Sequence, residues 1–330
     1  MASHRGWSVW LLSLVPNVKF GRWITAFVLF AALYGSFRMA RVYQEADEAA
    51  QAAALFFSII IAYIVPVYHL ITDHTLAAFD EIAPELKADP DQIESWRDSI
   101  VHKSPLWTWS TLAVGATAGI AHNILLAGSP TMLLQRLQSL PAAATVLGAE
   151  LVWIVMMCVV PALLDNARLF NRLAAYTQIL LIDTSPLTAF ARVAVASTLA
   201  LIGAQAAFPV LWVAPANNAV AMIPGLLATA TPMFFLFALP IWPVHRALAT
   251  AKSRELERIN EQLRSMQSTV DVTNRVAPLN ELLIYRREIT QVSEWPFNAG
   301  VATRLVLYLV IPPLTWIAAG LIDVMIERLV

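Results

Sequence analysis

The sequence predicts an all-α polytopic membrane protein with about seven transmembrane helices and an intracellular layer of helical extensions. Three observations predict it. Of 330 residues, 58% are hydrophobic and only 14% charged, and the mean hydropathy is +0.62. A soluble chain of this size needs more charge on its surface, whereas lipid removes that need. Seven runs are long and apolar enough to cross a bilayer, at about 20 residues each. Finally, the lysines and arginines fall almost entirely on one side of those runs.

The runs, in order, are Arg22–Ala40, Ala50–Ile71, Leu106–Ala127, Ala142–Leu164, Pro186–Val213, Ala219–Val244 and Ala302–Met325. Trp7, Trp10, Leu11 and Leu14 precede the first and read as an interfacial segment. No signal-type apolar stretch with a small-residue cleavage site is evident near Met1, so the first run is expected to be retained. With a cytoplasmic N-terminus, 18 of the 22 basic residues lie inside, and Arg38, Arg41, Arg136 and Arg328 lie outside. Seven crossings then place the C-terminus outside. The weak link is the segment Asp73–Ser104, where eight acids outnumber three bases, but acids contribute little to this rule. The expected location is the plasma or cell inner membrane.

The connections are unequal. The outside links are short, and Ala214–Asn218 carries no charge. The inside segments, roughly 73–104, 165–185 and 245–296, look helical. Ile82, Leu86, Ile93, Trp96 and Ile100 recur at near-helical spacing around a turn at Asp89-Pro90. No proline or glycine interrupts 162–185, and Leu169, Leu173, Tyr176 and Leu180 share a face, so the fourth helix is expected to extend inward. Leu256, Ile259, Leu263, Met266 and Val270 form a short heptad-like stripe, with Glu257 and Glu261 three residues from Arg254, Arg258 and Arg264. A break at Asp271–Pro278 separates it from a second stripe of Leu282, Tyr285, Ile289 and Val292. Helices with one apolar face must cover it. These stripes are therefore assembly candidates, within one subunit or between subunits.

Catalytic motifs are missing: there is no HExxH, GxSxG, Walker A or GxGxxG. No enzyme activity, cofactor or metal site is expected. The six histidines are scattered, and His69 and His74 do not share a helical face well. The single cysteine, Cys158, lies in an apolar run and reads as a small buried or lipid-facing residue. A net charge of −1 gives no sign of a nucleic-acid partner. The better candidates are polar groups within the runs, which lipid makes costly. Glu150 lies about two turns into the fourth run, and either sits at the interface or faces a polar path. His122 with Asn123, and Gln205, add further polar groups. On the last run, Tyr308, Thr315 and Trp316 give polar edges, and Pro312-Pro313 would bend the helix. Asp323 and Glu327 sit one turn apart near its outer end, where a symmetric oligomer would gather them into an acidic ring. Further prolines (Pro66, Pro161, Pro209, Pro224, Pro232, Pro240) free backbone carbonyls that something must satisfy. No internal repeat of the kind built into many secondary transporters is visible.

In outline this organisation resembles the insect odorant and gustatory receptor superfamily. The matching pieces are the extension Asp165–Asp183, the helix His245–Val270, the short helix Leu279–Val292 and the run Ala302–Met325. The resemblance is one of topology; the Thr-Tyr and Gln-Phe pairs of that family's last helix are absent, and the nearest text is Thr303-Arg304-Leu305 with Tyr308 beyond. It implies a tetramer joined through the inner layer, with the last helices lining a cation pore. The leading expectation is therefore a homo-oligomeric, cation-conducting channel in a lipid bilayer, taking a small-molecule ligand or ion. The alternatives are a small-solute transporter that uses Glu150 with His122 or Gln205, and a sensor or scaffold whose acidic segment 73–98 binds a partner.

Overall fold

The computed structural model describes residues 7–212, 219–268, 276–296 and 303. Within them the chain forms ten α-helices: α1 (Gly21–Met39), α2 (Val42–Glu45), α3 (Glu48–Ile82), α4 (Pro90–Val101), α5 (Pro105–Ala127), α6 (Pro130–Arg136), α7 (Leu140–Leu173), α8 (Thr188–Gln205), α9 (Ala219–Ser268) and α10 (Val276–Gln291). A two-stranded antiparallel pair joins β1 (Trp7–Ser8) to β2 (His102–Lys103). Five helical segments are long and apolar enough to cross a membrane: Glu48–Glu85, Pro105–Ala127, Leu140–Leu173, Ser185–Leu211 and Leu227–Met266. By this measure the protein is an integral membrane protein. These five correspond to the expected second to sixth runs, the second to fourth over their whole length and the fifth and sixth over part of it. The expected first run is present as α1, but Arg22 and Arg38 near its ends lower its hydropathy and it is not among the five. The expected seventh, apart from Thr303, lies outside the described residues.

Helix starts follow ordinary capping chemistry. The Asp47 carboxylate accepts the Ala50 N–H at 2.7 Å, and the Ser104 hydroxyl accepts the Trp107 N–H at 3.2 Å ahead of Pro105. The Ser129 hydroxyl does the same for Met132 ahead of Pro130. Between α5 and α6, Gly128 takes φ +85°, a conformation that side chains rarely adopt, and so closes α5. Helix α9 runs unbroken through Pro224, Pro232, Pro240 and Pro243. Pro243 lacks the N–H that would bond the Leu239 carbonyl, and the Asn171 amide of α7 donates to that oxygen at 2.9 Å.

Two cores are stacked along the bundle. The first lies among the apolar parts of α3, α7, α8 and α9 and includes Ile60, Val65, Val155, Cys158, Leu163 and Leu236. The second lies at the far end of α3 and α7. There Phe79, Ile82, Phe170, Leu173, Phe190 and Leu248 are buried together, with Phe170 and Phe190 edge to face at 5.5 Å. The spaced residues Ile82, Leu86 and Ile100 are buried in this core, and Ile93 and Trp96 pack against it. Its rim is charged: Arg97 holds Asp80 through two hydrogen bonds of 2.7 and 3.1 Å, and Arg192 pairs with Glu81.

Two local expectations are corrected. The fourth helix does not continue to Asp183 but ends at Leu173. The chain then turns so that Thr177 bridges Leu86; the Lys87 N–H donates to the Tyr176 carbonyl at 2.8 Å and the Gln178 N–H to the Glu85 carbonyl at 3.1 Å. Tyr176 packs on Trp96 with ring centres 5.0 Å apart, and Leu180 is exposed rather than part of a helical face. Backbone pairing with a distant segment replaces the helical bonds, which local sequence does not signal. The N-terminal segment, expected at the interface, also turns its apolar side chains into the bundle. After β1 it makes a 3-10 turn, Trp10–Leu14, whose Leu11 is fully buried in the first core together with Val9.

The two predicted assembly stripes meet within the chain. Helix α10 folds back along α9, burying Ile259 and Ile289 while Leu256, Leu263, Met266, Leu282 and Tyr285 stay half-buried. The Tyr285 hydroxyl donates to Glu255 at 3.0 Å, and Arg286 donates to the Asn260 side chain at 3.0 Å. His245 stacks flat on Trp295 with centres 4.0 Å apart. Among the described residues, the ion pair along α9 joins Glu255 to Arg258 rather than using Glu257 or Glu261.

Candidate functional site: a cavity between the membrane helices

The first core is not filled. Helices α3, α5, α7, α8 and α9 enclose a cavity of about 720 Å³. That is within the range of sites that hold a small molecule, roughly 300–1,000 Å³. Along α3 it is lined from Ala49 to Ile71, and along α7 from Pro141 to Leu163. At 1.5 Å per helical residue, each stretch spans about 33 Å. Both helices run in the same direction from the same end of the bundle, so the cavity is long and follows the bundle axis.

Small residues make the space and aromatic residues shape it. Ala53, Ala149, Ala200, Ala204 and Gly225 face it from four helices. Tyr63 of α3 reaches across to α8, where its hydroxyl donates to the Ala200 carbonyl at 3.1 Å. Gly203 permits this, because a side chain there would collide with the Tyr63 ring. Phe56 and Phe208 meet at 5.1 Å. On the α5 and α7 side, His122 and Trp153 pack at 5.6 Å and both line the cavity. The Asn123 amide donates to the Val146 carbonyl at 3.3 Å, tying α5 to α7 beside the wall.

The polar groups singled out in the sequence separate into three places. His122 lines the cavity, and its Nδ1 is buried with no hydrogen-bond partner among the described residues. Gln205 sits behind the wall on α8, where its amide donates to the Thr229 hydroxyl of α9 at 3.1 Å; Thr229 itself faces the cavity. Glu150 is not in the lining. It lies in the seam between α5 and α7, and a Cβ at Gly119 would collide with its carboxylate. A Cβ at Gly115 would come within 2.8 Å of the Ile154 backbone. Among the described residues, no hydrogen bond joins Glu150 to His122 or Gln205. Tyr308, Pro312, Thr315, Asp323 and Glu327 lie outside the described residues.

Several residues of this site were not singled out from the sequence. Gly115 and Gly119 form a small-x-x-x-small pair within an apolar run, a signal for close helix packing that the sequence does carry. Tyr63, Trp153 and the alanines have no local signal, because their facing partners lie far away in the chain. In the first turn of α5, the Trp107 indole N–H donates to Asp165 of α7 at 2.9 Å, and Arg168 bonds the same carboxylate at 3.1 Å. Burial beside this group pulls the Lys103 ammonium below the usual lysine range, with Asp165 opposing the shift. Among the described residues there is no cluster of metal-ligating side chains, and His69 instead packs with Arg22 and Asp73 between α1 and α3.

Compared with known proteins, the chain matches no family model, no curated protein and no solved structure, and nothing in these comparisons links it to the insect odorant and gustatory receptors.

Proposed function

We propose that this protein binds a small, mainly apolar molecule within the membrane, acting as a receptor or carrier for it. The observation that carries the reading is the cavity of about 720 Å³ with walls of alanine, isoleucine, valine and aromatic side chains. Polar groups set singly among apolar ones on its wall, such as His122, Tyr63 and Thr229, suit orientation of a ligand rather than passage of a hydrated ion. A saturable fluorescence signal from N-phenyl-1-naphthylamine, measured on protein in lipid nanodiscs against empty nanodiscs, tests it. The signal is expected to be lost in Ala149→Phe, which fills the cavity. A signal that the variant leaves unchanged contradicts the reading.

A second reading is the homo-oligomeric cation channel expected from the sequence. What supports it is an apolar face on α10, Leu283 and Ile284, left exposed by the single chain. In that reading a second copy covers this face, and the acids Asp323 and Glu327 select cations. Asp323→Asn with Glu327→Gln is expected to lower cation preference in bilayer recordings; a monomer on native mass measurement removes the reading. In both readings the second core faces the cytoplasm of a plasma or inner membrane, and the placement of the basic residues supports this. A cysteine introduced at Ile182, which is 83% exposed, is then expected to react with an impermeant maleimide only after the cells are opened.

A further inference from the structure

The cavity is polar at one end and apolar at the other. Its entrance is formed where α2, α3, α6 and α7 come together, and Glu45, Asp47, Arg136 and Ser139 line it there. From Ile64 of α3 and Met156 of α7 inward, the lining residues of those two helices are Val67, Ile71, Val159, Val160 and Leu163, with Tyr68 as the one polar side chain. A molecule that matches this gradient has one polar end and one long apolar end.

The charges at the entrance are not equally free. Glu45 is paired with Arg41 at 2.9 Å. Asp47 keeps its charge but is turned to the start of α3, where its carboxylate accepts the Ala50 N–H and meets the positive end of the helix. Arg136, at the end of α6, is exposed and has no ion pair among the described residues. Arg136 is thus the charged side chain of this lining with no partner of its own among the described residues, and a guanidinium suits a carboxylate or phosphate.

Resting on the reading that the cavity binds an apolar molecule, we propose that its ligand is a single-chain anionic amphiphile, with the anionic head at Arg136 and the chain directed toward Tyr68. The length of the cavity accommodates an extended alkyl chain lying along α3 and α7. The chain displaces no buried charge, and the head remains at the aqueous edge, where its hydration is kept in part.

Displacement of N-phenyl-1-naphthylamine by three amphiphiles of equal chain length tests this on the full chain in nanodiscs. The competitors are dodecanoate, dodecanol and dodecyltrimethylammonium. Dodecanoate is expected to displace the probe best. Arg136→Gln is expected to weaken dodecanoate about fivefold, the scale of an exposed charge pair, and to leave dodecanol unchanged. Arg136→Lys, which keeps the charge, is expected to recover most of that loss. Dodecyl phosphate, tested beside dodecanoate, distinguishes the two kinds of anionic head. If the probe binds and Ala149→Phe removes it, but the three heads compete equally or the cation competes best, the anionic assignment is overturned while the cavity reading survives. If no saturable probe signal exists at all, the cavity reading itself has failed.

Discussion

The two cores of this bundle are built from similar residues and differ in how completely they close. The second core packs Phe79, Phe170, Phe190 and Leu173 at close to zero exposure and surrounds them with ion pairs and a backbone bridge between Leu86 and Thr177. The first core has the same helices α3, α7, α8 and α9 but places alanines and glycines where they face one another, so a space remains. The difference is not explained by hydrophobicity. Lipid around the first core supplies no hydrophobic drive to close it, and the helices there are tied by side-chain bonds to backbone or to one another, such as Tyr63 to Ala200 and Gln205 to Thr229. The second core has charged, solvated edges, and burial of large side chains is what holds it together. One end thus closes the fold and the other is left with room for a ligand.

The largest effect that separates the two comes from truncation in the closed core. Phe170→Ala removes a fully buried ring and is expected to cost about 3–5 kcal/mol, read as a large fall in the thermal midpoint of the nanodisc-embedded protein. Enlargement sharpens the contrast. Ala189→Phe, in the closed core, is expected to cost about 1–3 kcal/mol by overpacking, whereas Ala149→Phe, facing the cavity, is expected to leave the midpoint nearly unchanged. Equal losses would mean that the cavity is not real space. Asn171→Leu leaves the Leu239 carbonyl, one turn before Pro243, without its donor and is expected to cost about 1–3 kcal/mol. The smallest effect belongs to the half-exposed rim of the closed core: Arg97→Ala is expected to cost about 1 kcal/mol or less, and less again in high salt.

The elements with a strong local period were legible. The bounds of α5 differ from the expected run by one residue, and the stripe Ile82, Leu86, Ile93, Trp96 and Ile100 marks the closed core as the sequence suggested. The Asp89-Pro90 turn is the start of α4. What local pattern could not report was pairing across long stretches of chain. The end of α7 at Leu173 depends on backbone bonds from Tyr176 and Gln178 to residues near Leu86, and the burial of Leu11 depends on the helices it meets. The site was legible only in part. His122, Glu150 and Gln205 stand out because they are polar groups in apolar runs, but whether each faces the cavity, a seam or a neighbouring helix is set by the rotation of helices against one another. Cavity walls made of alanine look the same in sequence as helix faces packed tightly.

The account's central claim is that this space can be occupied, and photolabelling tests it most directly. Protein in lipid nanodiscs would be irradiated with a diazirine-bearing alkane and the modified peptides mapped by mass spectrometry. The account predicts labels on the segments that carry Tyr63, Met156 and Ala200, lost in Ala149→Phe. Labels confined to lipid-facing positions such as Trp109, Leu147 and Phe234, in both proteins alike, would contradict it.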